Sequence, residues 1–246
     1  MQHALTCRDL SAGFGRKTVL YGASIDLPAG TVTAIIGPNG SGKSSLLKVL
    51  AGALPYTAGE IALDGRSYRA MPPIERARHV AFVPQTFAQT LPLTVEEALA
   101  IARYPHHSKV EEAVTNAALG ALGIANLRPR HCDTLSGGEL RKVLVAQGLA
   151  QVHGSDPAVL LLDEPAAFLD PPAQVGIAQL VQLLARRDGM AVAMVLHDLD
   201  LARRADNVVL LRAGRVFASG PPTEVMTQQA LAQLYKDGDA AEEAAA

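Results

Sequence analysis

The feature that most restricts what this chain can fold into is a short transition between residues 31 and 52. Thr31 to Ile36 (TVTAII) is β-branched and apolar throughout, the make-up of a strand buried on both faces of a sheet. It runs directly into Gly37-Pro38-Asn39-Gly40-Ser41-Gly42-Lys43-Ser44, which matches the pattern GxxxxGK[ST]. From Ser44 to Ala51, leucines at positions 46, 47 and 50 give helical spacing, and Gly52 supplies a left-handed residue to end the helix. Strand, glycine-rich loop and helix in that order allow backbone N–H groups to turn inward around phosphate oxygens. Lys43 adds a point charge toward the terminal phosphates, and the Ser44 hydroxyl is placed to ligate Mg²⁺. The segment reads as a site for a nucleoside triphosphate.

Other stretches have the chemistry such a site needs. Val159 to Leu162 is an apolar strand ending in Asp163 and Glu164, and ligands of parallel α/β sheets gather at the carboxyl ends of strands. Asp163 is placed to hold Mg²⁺ or its waters, and Glu164 to accept a proton from, or orient, an attacking water. Taken alone, the pair is equally a strand meeting a polar loop. Leu135-Ser136-Gly137-Gly138-Glu139 opens a helix continued by Leu140, Val143, Leu144 and Gln147, and Ser136 with Glu139 fits a capping box. Its free amides suit either a plain capped start or a second phosphate site. His197 ends the apolar run AVAMVLH, and Phe14 stands between Gly13 and Gly15, free to stack on a ring or to make a small turn contact.

Around these motifs the pattern is α/β. Ala4 to Leu10, Thr18 to Leu20 and Ala23 to Leu27 suggest antiparallel strands. Residues from about 87 to 150 read as a mostly helical lobe, with capping boxes at Thr94–Glu97 and Ser108–Glu111. A helix from about Ala173 to Arg187 separates the strands at 159–162 and 191–196, a parallel layout, and Val208–Arg212 with Arg215–Ala218 predicts a terminal hairpin. Residues 237–246 read as a solvated, disordered tail. At 246 residues and 49% hydrophobic, the chain has material for one sizeable domain.

Composition also excludes. A formal charge of -2 gives no global field to recruit nucleic acid or anionic lipid. The longest apolar runs fall far short of the roughly 20 residues that span a bilayer. The first residues have neither a basic leader nor a long apolar stretch, so they do not read as a secretory signal. Cys7 and Cys132 lack the companions of a zinc site and read as reduced and inert. His106-His107 reads as a surface pair without convergent metal ligands, and Arg186-Arg187 and Arg203-Arg204 as solvated helix faces.

The motifs together resemble the nucleotide-binding subunit of an ABC transporter, from about residue 4 to 236. Gly37–Ser44 matches Walker A, Gln85 the Q-loop, Leu135–Glu139 (LSGGE) the family signature, and Asp163-Glu164 Walker B with its catalytic glutamate. Phe168-Leu169-Asp170 matches the D-loop and His197 the switch histidine. The departures are Ala166-Ala167-Phe168 beside the D-loop, Ser45 for a common threonine, and Leu140-Arg141-Lys142 after LSGGE, which on this reading bears on contacts across the dimer.

The resemblance implies a P-loop NTPase (RecA-like) α/β core with an N-terminal antiparallel β subdomain and an inserted helical subdomain. The whole chain would be a single ABC ATPase domain, with residues 1–86 and 151–236 forming the core and 87–150 the helical subdomain. It implies ATP and Mg²⁺ as ligands, with Glu164, His197, Lys43 and Gln85 in catalysis and Ser44, Gln85 and Asp163 on the metal. Phe14, Gly37, Pro38, Asn39, Gly40, Ser41, Gly42, Lys43, Ser44, Ser45, Ser136, Gly137, Gly138 and Glu139 would contact nucleotide. Two copies would pack head to tail, each ATP lying between Walker A of one and the LSGGE of the other.

Implied partners are integral membrane permease subunits and, indirectly, a substrate-binding protein, with no nucleic acid. The chain would be soluble when isolated and peripheral on the cytoplasmic face of the inner membrane. LTVEEALAIARYPH (93–106) and LHDLDLA (196–202) are similar to ATPases for iron-chelate, haem and cobalamin uptake. Metal-ion transporters, exporters, non-transport ABC ATPases and a non-hydrolysing ATP-gated clamp remain alternatives on the sequence alone.

Overall fold

A computed structural model of the chain describes residues 3–15, 17–85, 92–106, 112–165 and 171–236. Along the chain run β1 (His3–Phe14), β2 (Lys17–Pro28), β3 (Val32–Ile36), α1 (Lys43–Leu50), β4 (Tyr56–Leu63), β5 (Arg66–Ser67), α2 (Pro73–His79) and β6 (Val80–Val83). There follow α3 (Val95–Ala102), α4 (Glu112–Ala121), α5 (Gly137–Val152), β7 (Val159–Asp163), α6 (Pro171–Asp188), β8 (Ala191–Val195), α7 (Leu199–Ala202), β9 (Asn207–Arg212), β10 (Arg215–Gly220), α8 (Pro222–Val225) and α9 (Gln228–Tyr235).

Two sheets result. An antiparallel sheet has the order β2-β1-β4-β5, and a larger one the order β10-β9-β3-β8-β7-β6, parallel except at β10. The central strands β3, β7 and β8 are buried in every position because both faces are covered, which their mostly apolar residues suit. On β7, Val159 and Leu161 join a core with α1 and the antiparallel sheet, while Leu160 and Leu162 join one with α3 to α6. Ile35 and Ile36 divide the same way on β3. α5 is buried along most of its length, on Leu140, Val143, Leu144, Val145 and Ala146, as a helix packed between the sheet and other helices must be.

The sequence expectations meet this architecture in most places. The helices after Walker A and between β7 and β8 lie where spacing put them, Gly52 follows α1 with φ 73°, and the terminal hairpin turns through Ala213 and Gly214, both with positive φ. The capping box at Thr94 is formed in full, with the Glu97 side chain returning to the Thr94 amide. The box at 108–111, the D-loop 168–170 and the tail 237–246 lie outside the described residues.

The N-terminal strands are longer than the residues suggested. Gly22, at φ 64°, interrupts the alternation inside β2, so one strand reads as two in sequence. His106 is not a free surface histidine: its Nε2 lies 2.7 Å from the Gln151 carbonyl, beside Arg103, whose guanidinium donates to the carbonyls of Ala150 and His153. Together they satisfy carbonyls at the end of α5.

Both cysteines are free, Cys7 being fully buried. Burial pushes the Cys7 thiol up from its ordinary 9.0 to about 11, and Sγ lies 3.6 Å from the Ala23 carbonyl. A raised thiol pKa means less thiolate at any pH below it, about a hundredfold less at pH 8. In the native chain, a thiol-reactive dye should label half-buried Cys132 first, and Cys7 should become reactive only in denaturant.

Candidate nucleotide-binding and catalytic site

The phosphate loop connects β3 to α1. Gly42 is the residue before α1, at φ 102° and ψ 10°, and no side chain caps that helix, so its first-turn amides are left for an anion. The loop is clamped by backbone on two sides. A Cβ at Gly37 would collide with the Leu211 carbonyl oxygen of β9, and one at Gly42 would stand 3.1 Å from the Val19 carbonyl oxygen of β2. The Gly214 amide of the β9–β10 turn donates to the Ser41 carbonyl at 2.9 Å.

Lys43 is buried inside this loop. Its Nζ donates to the carbonyls of Gly37 at 2.8 Å and Pro38 at 2.9 Å. Burial holds the ammonium below its usual pKa, opposed by the negative charges of Glu164 and Asp163. The Ser41 hydroxyl is buried in the same loop and has no hydrogen-bond partner among the described residues. An orphaned hydroxyl, a lysine on loop carbonyls and open helix amides suit the phosphates of a nucleotide.

The carboxylates arrive from β7. Ser44 Oγ donates to Asp163 Oδ1 at 3.1 Å, tying α1 to the end of that strand. Asp163 is almost wholly buried, and burial raises its pKa. The Ser44 bond and the lysines Lys48 and Lys43 oppose that rise, while Glu164 adds to it. A buried carboxyl and the hydroxyl bonded to it are oxygen donors of the kind that suits a hard divalent cation.

Glu164 stands on the left-handed backbone, φ 50°, a conformation that a residue with a Cβ holds only under constraint. Its two carboxylate oxygens are taken by different strands' ends. Gln85 Nε2 donates to Oε2 at 2.6 Å, and His197 Nε2 lies 2.7 Å from Oε1. The structure thus joins Gln85, Glu164 and His197, and separately Lys43, Ser44 and Asp163, along one edge of the sheet.

Ser136 caps α5, its Oγ accepting from the Glu139 amide at 3.3 Å and donating to Glu139 Oε2 at 2.8 Å. Ser136 and Gly137 are exposed. Phe14 is 52% exposed at the tip of the β1–β2 hairpin, whose β2 arm packs on Gly42. Of the departure Leu140-Arg141-Lys142, the structure turns Arg141 inward, 6% exposed, donating to the carbonyls of Pro84 and Gln85. The signal was present: Arg141 stands between Leu140 and the apolar run Val143–Ala146 of α5.

A glycine-lined loop on β3 and a carboxylate pair on β7, with β8 between them, define a nucleotide-binding α/β domain of the P-loop type. Residues 20–167 match the ABC transporter family, and the chain belongs to that family. It is 38% identical to the ferric enterobactin transport ATP-binding protein FepC of Escherichia coli (strain K12), over 92% of this chain and 84% of that protein. It is 41% identical to the hemin import ATP-binding protein HmuV of Pseudomonas entomophila (strain L48), over 90% of this chain and 88% of that one.

Among solved structures, the ATP-binding cassette MJ1267 superposes with TM-score 0.82 at 25% identity, covering 96% of this chain and 99% of that one. CbiO1 of Clostridium perfringens, part of an ABC transporter complex, superposes with TM-score 0.78 at 26% identity, covering 98% and 100%. As an ATP-binding subunit of this family, the chain is an ATPase coupled to transport.

The clamp on Gly37 makes a sharp test. Gly37→Ala should force the loop off the Leu211 carbonyl and cost about 1–3 kcal/mol of stability. Binding of a fluorescent ATP analogue should weaken at least tenfold, read by titration beside a thermal melt.

Proposed function

We propose that two copies of this chain hydrolyse ATP in a head-to-tail dimer and that the turnover energises uptake of an iron chelate or haem through a membrane permease. The observation that supports it most is the Glu164 carboxylate, held between Gln85 and His197 at the edge where the phosphate loop opens. ATP lies with its phosphates on the amides of residues 37–44, Lys43 moving from the Gly37 and Pro38 carbonyls to the terminal phosphates, and Phe14 stacking on the base. Ser44, Asp163 and Gln85 would hold a Mg²⁺ ion, which when bound would neutralise charge on the phosphates.

Glu164 takes the proton of the attacking water as oxygen bonds to the γ-phosphorus and the bond to the leaving ADP oxygen breaks. His197 orients that water or the γ-phosphate, and Gln85 keeps the carboxylate aimed. Ser136 and the Gly137 and Gly138 amides reach the γ-phosphate bound by the other copy, so the dimer closes only around nucleotide. Glu139 must release the Ser136 hydroxyl for this.

The cargo reading rests on relatives named for ferric enterobactin and hemin, together with a petrobactin import ATP-binding protein of Bacillus anthracis that is 35% identical. No helix among the described residues is long and apolar enough to cross a membrane. On the likeness to import ATP-binding proteins, the membrane step belongs to a permease, with this chain on its cytoplasmic face. A groove of about 380 Å³ between α3, β6 and α5, lined by Phe82, Pro84, Ile101, Tyr104 and Gln147, offers the docking surface for a permease segment. Ile101 is 56% and Tyr104 71% exposed on its rim.

Glu164→Gln should cut ATP turnover at least a hundredfold while ATP binding changes only a few-fold, and wild-type turnover in that variant would remove Glu164 from its role. Ile101→Asp with Tyr104→Asp should abolish co-purification with the permease while the isolated chain keeps its ATPase rate. Retained co-purification would move the docking surface elsewhere.

A further inference from the structure

α5 begins at the signature and runs inward, so any residue along it connects the helix start to whatever it touches. Arg141 lies one turn in from Ser136 and is buried among Leu140, Val143, Leu144 and Val145. A guanidinium held out of water needs its donors satisfied by geometry that does not drift. Here one NH donates to the Pro84 carbonyl at 2.9 Å and the other to the Gln85 carbonyl at 2.5 Å. The planar fork fixes both peptide groups at once, which a point-charge ammonium would not. Those carbonyls follow directly on β6, and the side chain of the second residue bonds Glu164 Oε2 at 2.6 Å. Glu164 and Asp163 act on the guanidinium through space, so it also adds positive potential to the phosphate edge.

We propose that Arg141 is a positioning residue that couples the signature end of α5 to Gln85 and, through Gln85, to the Glu164 carboxylate of the same chain. The inference rests on the ATPase-dimer reading above. In that dimer, Ser136 touches the nucleotide on the other copy, while Arg141 sets the carboxylate facing the chain's own nucleotide. Capture of ATP at one site then aligns the base at the other. The helix supplies the rigid link, since its remaining length is packed against β6, β7, α3 and α4.

The test is steady-state ATP hydrolysis by the purified full chain, with variants Arg141→Met and Arg141→Lys beside wild type and Glu164→Gln. Methionine keeps an apolar stem and removes every donor; lysine keeps the charge and loses the fork. Arg141→Met should lower kcat at least tenfold, hold KM for ATP within threefold, and bring the Hill coefficient for ATP from above 1 to about 1. Arg141→Lys should recover part of kcat without restoring the Hill coefficient.

A folded Arg141→Met chain with wild-type kcat and Hill coefficient overturns the inference, as does a rise in KM that accounts for the whole loss. Should the methionine variant not fold, a lysine variant with wild-type kcat and cooperativity overturns it equally. If Glu164→Gln hydrolyses ATP like wild type, or wild type shows no cooperativity, the ATPase-dimer reading falls and this inference with it. If Glu164→Gln is inactive while both Arg141 variants behave as wild type, only the role of Arg141 falls.

Discussion

Everything at the nucleotide edge depends on the register of the parallel strands. Val83 pairs with Leu162, Asp163 with Val195, and Val195 in turn with Ile35. With those pairs aligned, the chain leaves the sheet at one level four times: toward Gln85 after β6, Glu164 after β7, His197 after β8 and Gly37 after β3. Parallel strands point their carboxyl ends the same way, so residues distant in sequence meet there without a dedicated scaffold. A slip of one residue on β7 would turn Leu160 and Leu162 to the opposite core, which makes this register costly to disturb.

The phosphate loop shows the same economy in its backbone. Its shape is held by the Leu211 carbonyl, the Gly214 amide and the β2 strand, elements from both sheets. Lys43 lies on two loop carbonyls with no carboxylate in direct contact among the described residues, and burial disfavours its charged form there. Binding an anion relieves that penalty, which is how a preorganised cation gains more from a charged ligand than a solvated one does.

Much of this was legible from the residues, because local geometry demands local residue types. A loop that closes on phosphate needs glycines, a helix start needs a serine or threonine with its glutamate, and a doubly covered strand needs an unbroken apolar run. The spatial facts were less legible. Gln85 and Glu164 lie 79 positions apart and meet only through strand pairing, a relation that spacing does not encode. The fork of Arg141 on Pro84 and Gln85 spans 57 and 56 positions and was equally hidden, since an arginine near a helix start ordinarily points to solvent. Gly22 hid the continuity of β2 because a bulge breaks the period of 2 by which strands are recognised.

The left-handed backbone at Glu164 has a consequence for how this lineage could drift. Glycine or asparagine would occupy φ 50° more comfortably than glutamate, so the residue that best serves chemistry is not the one that best serves folding. A descendant released from hydrolysis would gain ruggedness by losing the glutamate, and the identity of this single position would then record whether its bearer is still an engine or has become a passive clasp.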